Sequence, residues 1–175
     1  MKLNMAFRCY RGTLAMMVFA LTLILAGMLS FGSLASADLV IELPPGLACD
    51  FALRIEITGE GTQVYKEFMD KDGNLIRTLA AGKGWDFLFI NLSTDATFPL
   101  KGNGSVAHTS YNPDGTYTYT ATGHNVIIFF PTDVPAGPST KQYIGRMVFT
   151  VDSAGVSTVQ ELSGKQIDIC EALSP

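Results

Sequence analysis

Two cysteines, Cys49 and Cys170, are the residues of this chain whose chemistry is best defined by type and spacing. They are the only cysteines beyond residues 1–37, and an exported chain oxidises such a pair to a disulfide. A bond that closes a loop of about 120 residues stabilises a fold by about 4–5 kcal/mol. No Cys-x-x-Cys occurs and neither cysteine has a histidine close in sequence, so we expect no metal site and no cofactor.

Four charged residues are candidates for acid–base work inside a barrel: Asp86, His108, Arg54 and Asp168. A lumen enzyme of the cyclase or dirigent type needs one or two polar groups that point into an apolar cavity. Asp86 lies between aromatic residues on a predicted strand, where burial raises a carboxyl pKa. The alternative is an ion-paired or solvent-facing role for each of the four. We favour that alternative and predict no catalytic residue, because the sequence has no Gly-x-Ser-x-Gly, no carboxylate pair assignable to a cleft and no glycine-rich loop leading into a helix.

Aromatic residues give the remaining lead to a binding site. Trp85, Tyr117 and Tyr119 belong to a larger aromatic set that also contains Phe87, Phe89, Tyr111, Phe129, Phe130 and Tyr143. Such residues either line a ligand pocket in a small barrel or fill its core. We favour the filled core, because small barrels are usually packed by their own side chains. His124 follows Gly123 and is expected to lie in a turn.

Residues 1–37 have the pattern of a secretory signal. Three basic residues precede an uncharged apolar run over residues 14–29, and Ala35-Ser36-Ala37 is an A-x-A cleavage site. The alternative is an uncleaved anchor, because the apolar region approaches the length that spans a bilayer. We predict cleavage, which leaves one secreted domain over residues 38–175.

The charge of that domain excludes some classes of partner. Removal of Lys2, Arg8 and Arg11 leaves nine basic against 16 acidic residues, a net charge of −7. Nucleic-acid binding depends on phosphate neutralisation by lysine and arginine, so nucleic acid is not expected as a partner. Anionic membrane surfaces are disfavoured for the same reason. We expect a secreted monomer whose partner is a small molecule or a cell-surface component.

The elements that must position these residues are strands. Residues 49–57 alternate, with Phe51, Leu53 and Ile55 on one face and Arg54 and Glu56 on the other. Short apolar and β-branched runs recur at intervals of about ten residues between Gly, Pro, Asn and Asp. The pattern predicts an all-β domain, a single antiparallel up-and-down barrel or sandwich of about 8–10 strands.

Three turns share an Asx residue first and a glycine fourth, at residues 70–73, 112–115 and 152–155. This spacing indicates hairpins built on a type I turn followed by a left-handed glycine. Each turn also sets a register between its strands. The first predicts an ion pair of Glu67 with Arg77, and the second places Tyr111 opposite Tyr117 and Thr109 opposite Tyr119.

Three segments resemble a group of small secreted proteins from Gram-positive, mostly actinomycete-type, bacteria. They are residues 48–56, which contain Cys-Asp-Phe, residues 121–125, and residues 162–170, which end in Ile-Asp-Ile-Cys. The resemblance covers about residues 44–173, and His124 stands where an arginine is expected. It implies export, the disulfide and a β domain between the two cysteines. The group has no assigned activity, so no catalytic residue is carried across.

Three functions are compatible with these observations. The first is a secreted, non-enzymatic β-protein that binds a small apolar ligand or a surface partner. The second is the barrel-lumen enzyme, and the third is a passive structural protein of the cell surface, which would have neither a pocket nor a large exposed apolar patch. We favour the first, because aromatic residues recur in the alternating strand pattern and the sequence contains no recognisable set of catalytic residues.

Overall fold

A computed structural model describes residues 39–175; the predicted signal of residues 1–37, together with Asp38, lies outside the described residues. The described chain forms ten β-strands followed by a short helix, α1 (Ile169–Ala172). The strands are β1 (Leu39–Leu43), β2 (Leu53–Thr58), β3 (Thr62–Met69), β4 (Leu75–Lys83), β5 (Asp86–Asn91), β6 (Thr97–Leu100), β7 (Gly104–Tyr111), β8 (Tyr117–Phe129), β9 (Ser139–Val151) and β10 (Ser157–Asp168).

The strands form two antiparallel sheets, which confirms the predicted all-β class and the sandwich. The four-stranded sheet has the order β1-β2-β5-β6, and the six-stranded sheet has the order β10-β9-β8-β7-β4-β3. The barrel alternative was wrong, because the sheets do not close on each other. After β4 the chain leaves the six-stranded sheet, adds β5 beside β2, and returns as β7 beside β4. That excursion interrupts the expected up-and-down order.

The hairpin turns set register as predicted in one case and not in another. Tyr111 lies opposite Tyr117, and Thr109 lies opposite Tyr119, as the second turn requires. The predicted pair of Glu67 with Arg77 was wrong, because a bulge between Phe68 and Met69 shifts the register of β3 on β4. Arg77 therefore lies opposite Phe68, and its guanidinium carbon is 4.1 Å from the ring centroid.

The core between the sheets is built from alternating apolar residues. Leu53 and Ile55 on β2 and Phe89 on β5 are buried in it, as is Leu100 at the end of β6. Partly buried residues of β8, including Val126, pack against this cluster from the six-stranded sheet. Burial of such side chains stabilises the fold by about 1.5–3 kcal/mol each.

The disulfide between Cys49 and Cys170 is present, with the two Cα atoms 5.6 Å apart. Neither cysteine lies in a strand, although the alternation over residues 49–57 predicted a strand that begins at Cys49. Cys49 precedes β2, and Cys170 lies in α1, because the Asp168 side chain accepts a hydrogen bond from the Glu171 N–H and begins a helical turn. The bond therefore connects the chain just before a strand of one sheet to the chain just after an edge strand of the other.

A row of glycines crosses the six-stranded sheet. Gly123 on β8 lies opposite Gly145 on β9, which lies opposite Gly164 on β10. A Cβ on Gly145 would lie 2.9 Å from the Cα of Gly164, and a Cβ on Gly164 would lie 2.9 Å from the Cα of Gly145. Only glycine therefore permits this approach of the two strands. The row continues on β4 at Gly82, with Ser105 of β7 between.

The six-stranded sheet bends at this glycine row. Ala121 and Phe129 lie on the same face of β8, and eight residues of straight strand span about 26 Å. Both nevertheless belong to one buried cluster with Tyr143 and Met147. The sheet therefore curls around a second core, which its own strands enclose. The loop after β8 completes the curl, because Val134 hydrogen-bonds with the first residues of β10.

Candidate functional site

Two of the predicted site residues hold surface ion pairs. Arg54 extends from β2 and donates to Glu42, with Nη2 2.7 Å from Oε1. Asp168 caps α1 and also pairs with Lys141 at 3.1 Å. Neither residue lines either of the two clefts described below.

Three further candidates lie on the strands of the six-stranded sheet and away from any shared site. His108 is exposed on β7. Tyr117 packs against Tyr111, with ring centroids 5.8 Å apart. Tyr119 stacks on Phe149 at 4.8 Å in the core inside the curl, where burial raises the pKa of its phenol. Both tyrosines thus pack against aromatic neighbours, and neither lines either of the two clefts described below.

The structure brings Trp85 and Asp86 together beside a cleft at one end of the sandwich. The cleft, which we call the Trp85 cleft, has a volume of about 170 Å³ and lies between residues of both sheets. Its apolar lining comes from Trp85, Phe87, Leu100 and Val126. Polar residues of the six-stranded sheet and its loops also line it: Gln63, Asn103, Ser105, His124, Asn125 and Gln142.

Trp85 is held against the backbone on one side of its ring. A Cβ on Gly61 would lie 3.1 Å from Cε2, 3.3 Å from Nε1 and 3.4 Å from Cδ2 of the indole. Nearly equal distances to three fused ring atoms place Gly61 over a face of the ring rather than at its edge. The side chain is nonetheless 46% exposed, so its opposite side remains open.

The backbone that carries Trp85 is fixed by the loop after β6. Gly102 is buried, and a Cβ there would overlap the carbonyl oxygen of Gly84 and lie 2.6 Å from that of Trp85. The Gly102 N–H donates to Asp86 Oδ1 at 2.7 Å, and Lys101 Nζ donates to Oδ2 at 2.8 Å. These bonds tie the start of β5 to the loop and hold the indole in place.

The Asp86 carboxylate is an anchor in this geometry. The Lys101 ammonium, and then the Gly102 N–H, hold the pKa of the Asp86 carboxyl below its ordinary value of 3.8. That direction is opposite to the one that acid–base catalysis at neutral pH requires. Asp86 is not among the residues that line the cleft, and neither is His108, Arg54 or Asp168.

The polar side of the cleft contains His124, whose position was predicted wrongly from the sequence. His124 was expected in a turn because Gly123 precedes it, but it lies within β8, since that glycine belongs to the row that bends the sheet. Its Nδ1 lies 3.4 Å from Nε2 of Gln142 on β9. Asn125 borders the same cleft, and among residues 39–175 its buried Nδ2 has no hydrogen-bond partner.

The remaining polar residues of the cleft were missed by sequence reasoning, because they are scattered over four strands and one loop. Gln63, Asn103 and Gln142 have no motif in common. The usable signal was local to Trp85, the sole tryptophan of the chain, which follows Gly84 in a break between two strands. In the described range of residues 39–175 no group of three potential metal ligands comes together. The arrangement is suited to holding a ligand by stacking and hydrogen bonds.

A second depression lies at the opposite end of β4 and has a volume of about 410 Å³. We call it the Tyr111 depression. Tyr111 lines it together with residues of two hairpin turns, among them Asp70, Asn74 and Pro113. Asp70 accepts from the side chain and backbone of Asn74, which lowers the pKa of its carboxyl.

Fold and site together define an antiparallel β-sandwich with an intramolecular disulfide and an aromatic cleft between its sheets. Comparison of the chain with models of protein families, with curated proteins and with solved structures gave no match.

Proposed function

We propose that the protein is a secreted, non-catalytic binding module that holds a small ligand, or one unit of a larger surface ligand, in the Trp85 cleft. The carrying observation is the way Trp85 is presented. One face of the indole is backed by Gly61 while the side chain stays 46% exposed. A large aromatic side chain normally gains about 1.5–3 kcal/mol by full burial, and this one is held open instead.

The support of the ring favours binding over accidental exposure. Gly102 and Asp86 fix the backbone of Trp85 from the side of the loop after β6. A ligand that meets an aromatic surface already held in place loses less conformational entropy on binding. Fixed aromatic anchors are also the residues that dominate binding energy in recognition sites.

The size of the cleft restricts the ligand. Its volume is about 170 Å³. Pockets for drug-sized molecules have about 300–1,000 Å³. A lipid or another bulky apolar ligand is therefore a poor fit, and the cleft suits a single ring or a short segment.

Export is the part of the proposal that concerns location. The signal pattern of residues 1–37 and the disulfide of Cys49 with Cys170 both support an oxidising compartment outside the cytoplasm. Within residues 39–175, no helix combines the length and the hydropathy needed to cross a bilayer. The net charge of −7 supports a partner other than nucleic acid or an anionic membrane.

The proposal is tested by mapping where small probes bind to the domain of residues 38–175 with its disulfide formed. Four probe classes, neutral polar, anionic, cationic and apolar, are titrated while ¹H–¹⁵N NMR spectra are recorded. We expect at least one class to shift the indole N–H of Trp85 and the amides of His124 and Gln142. Trp85→Ala should abolish the shifts of the His124 and Gln142 amides, and the matched control Tyr111→Ala should leave all of the shifts unchanged.

Two results would overturn the proposal. One is a probe response confined to the Tyr111 depression, which would move the site to the other end of β4. The other is the absence of any response that depends on Trp85, in which case the exposed indole has no binding role.

A further inference from the structure

We infer that the Trp85 cleft takes a neutral saccharide ring, stacked on the open face of the indole; this rests on the proposed binding function. The inference depends on three properties of the cleft, which are its charge, its hydrogen-bonding groups and its apolar surface. Each property excludes a different class of ligand.

The charge of the cleft excludes strongly ionic ligands. Lys101 is the charged side chain in its lining, and it is 83% exposed and already paired with Asp86. The other polar side chains are amides, one hydroxyl and one imidazole. A carboxylate or ammonium ligand would exchange water for a site with no free counter-charge among its lining residues, which is unfavourable.

The hydrogen-bonding groups of the cleft match hydroxyls. Gln63, Asn103 and Gln142 each present a carbonyl acceptor and an NH₂ donor, and Ser105 presents a hydroxyl that does both. A sugar hydroxyl is likewise donor and acceptor at once. If Gln142 Nε2 donates to His124 Nδ1, the ring Nε2–H is left as a further donor.

The same groups disfavour a purely apolar ligand. Such a ligand would bury the amides of Gln63, Asn103 and Gln142 without hydrogen-bond partners, which is unfavourable. A ligand rich in oxygen atoms would provide partners for them.

The apolar surface matches the C–H face of a sugar ring. The indole carries negative charge density on its face, which attracts the weakly positive hydrogens of C–H bonds. Phe87, Leu100 and Val126 extend the apolar surface beside Trp85. A pyranose ring has C–H bonds on its faces and hydroxyls at its periphery. The C–H face can therefore lie on the apolar surface of the cleft while the hydroxyls reach its polar residues.

The test compares matched polysaccharides with the intact, disulfide-bonded domain. The probes are insoluble cellulose and chitin, soluble neutral dextran, and carboxymethyl cellulose as the anionic counterpart of cellulose. Binding is followed by co-sedimentation for the insoluble probes and by isothermal titration calorimetry for the soluble ones, because the Trp85→Ala variant lacks the sole tryptophan and has no emission signal to follow. We expect a neutral polysaccharide to bind, and Trp85→Ala to weaken that binding at least about tenfold.

Controls separate this inference from the proposed function. Tyr111→Ala should bind the neutral probe as the unchanged protein does, and circular dichroism should show that both variants are folded. Neutral polysaccharides that fail while an anionic or apolar probe binds through Trp85 would overturn the saccharide and leave the binding function standing. Failure of every probe to show a Trp85-dependent signal, in these experiments and in the NMR titrations, would overturn both.

Discussion

The Trp85 cleft and the Tyr111 depression both present an aromatic side chain at the surface, but they are built differently. The Tyr111 depression is the larger, about 410 Å³ against about 170 Å³. Its lining comes from two hairpin turns of the six-stranded sheet and the strand residues next to them. The Trp85 cleft combines Phe87 and Leu100 of one sheet with His124 and Gln142 of the other.

The difference shows that volume is a poor guide to a binding site in a small β-sandwich. Tyr111 is supported by one neighbouring ring, that of Tyr117. Trp85 is supported by Gly61 behind the ring and by Gly102 beneath its backbone, from two loops distant in sequence. A site is better recognised by how many independent segments hold its aromatic residue than by how much space surrounds it.

Removal of the disulfide should produce the largest difference between the Trp85 cleft and the Tyr111 depression. Replacement of both Cys49 and Cys170 by alanine should lower the free energy of unfolding by about 4–5 kcal/mol, because the unfolded chain regains the entropy of an open loop. Urea denaturation measures the loss. Since the bond joins the two sheets, hydrogen exchange should increase more around Trp85 than in the Tyr111 hairpin. Equal increases would show that the cleft does not depend on the contact between sheets.

Gly102→Ala should disrupt the Trp85 cleft while leaving the Tyr111 depression intact. The new Cβ would collide with the carbonyl oxygens of Gly84 and Trp85, and backbone cannot yield as a flexible side chain does. We expect ligand binding to fall at least about tenfold and stability to fall by about 1–3 kcal/mol. Gly104→Ala is the matched control, because nothing lies within 4 Å of its Cβ. Titration with the neutral polysaccharide measures the affinity of both variants, and urea denaturation measures their stability. Equal affinities in the two variants would refute the role of Gly102.

Acid should release the Trp85 anchor only below the ordinary range of a carboxyl group. The pKa of Asp86 is lowered from 3.8 in the folded protein, so its contribution is complete above that value and is lost as the pH falls through the folded-state pKa. The emission of Trp85 should therefore show a step below about pH 4. Asp86→Asn should remove this step, and a midpoint above pH 3.8 in the unchanged protein would contradict it. Asp70 has a lowered pKa too, but it lies in the Tyr111 depression, which tryptophan emission does not report.

Gly61→Ala should have the smallest effect. Its Cβ would lie 3.1 Å from the indole, so the ring must move by a few tenths of an ångström, and a side chain can do so. We expect ligand affinity to fall about two- to threefold with stability nearly unchanged. The matched control is again Gly104→Ala, which has room for a Cβ and does not line the cleft. Isothermal titration calorimetry would detect the difference, and a loss as large as that of Gly102→Ala would show that ring position matters more than backbone position.

The sequence predicted those parts of the fold that depend on local chemistry. Turn residues 112–115 set the register of Tyr111 on Tyr117, and alternation in β2 predicted which residues are buried. It failed where one residue changes the outcome, as with the bulge at Phe68 that moved Arg77 away from Glu67. The helical turn at Cys170 was missed because Asp168 reads equally well as a strand residue and as an N-cap.

The candidate site was only partly predictable for a different physical reason. Trp85 and Asp86 could be named from their types, but the ion-pair partner of Asp86 could not, because Lys101 lies 15 residues away in sequence. His124 and Gln142 meet only because two long strands pair in one register. Contacts of that kind follow from the assembled sheet, which no local pattern in the chain describes.

The glycine row also has a consequence for how this protein can change through mutation. Gly123, Gly145 and Gly164 are far apart in sequence yet adjacent across the sheet. In a saturation mutagenesis experiment they would form a line of intolerant positions that runs across the strands, and no single replacement there could be rescued by a smaller residue elsewhere in the row. The glycines that curve the sheet must therefore be retained together. The polar residues of the Trp85 cleft, such as Gln63, can vary and so alter what the cleft recognises.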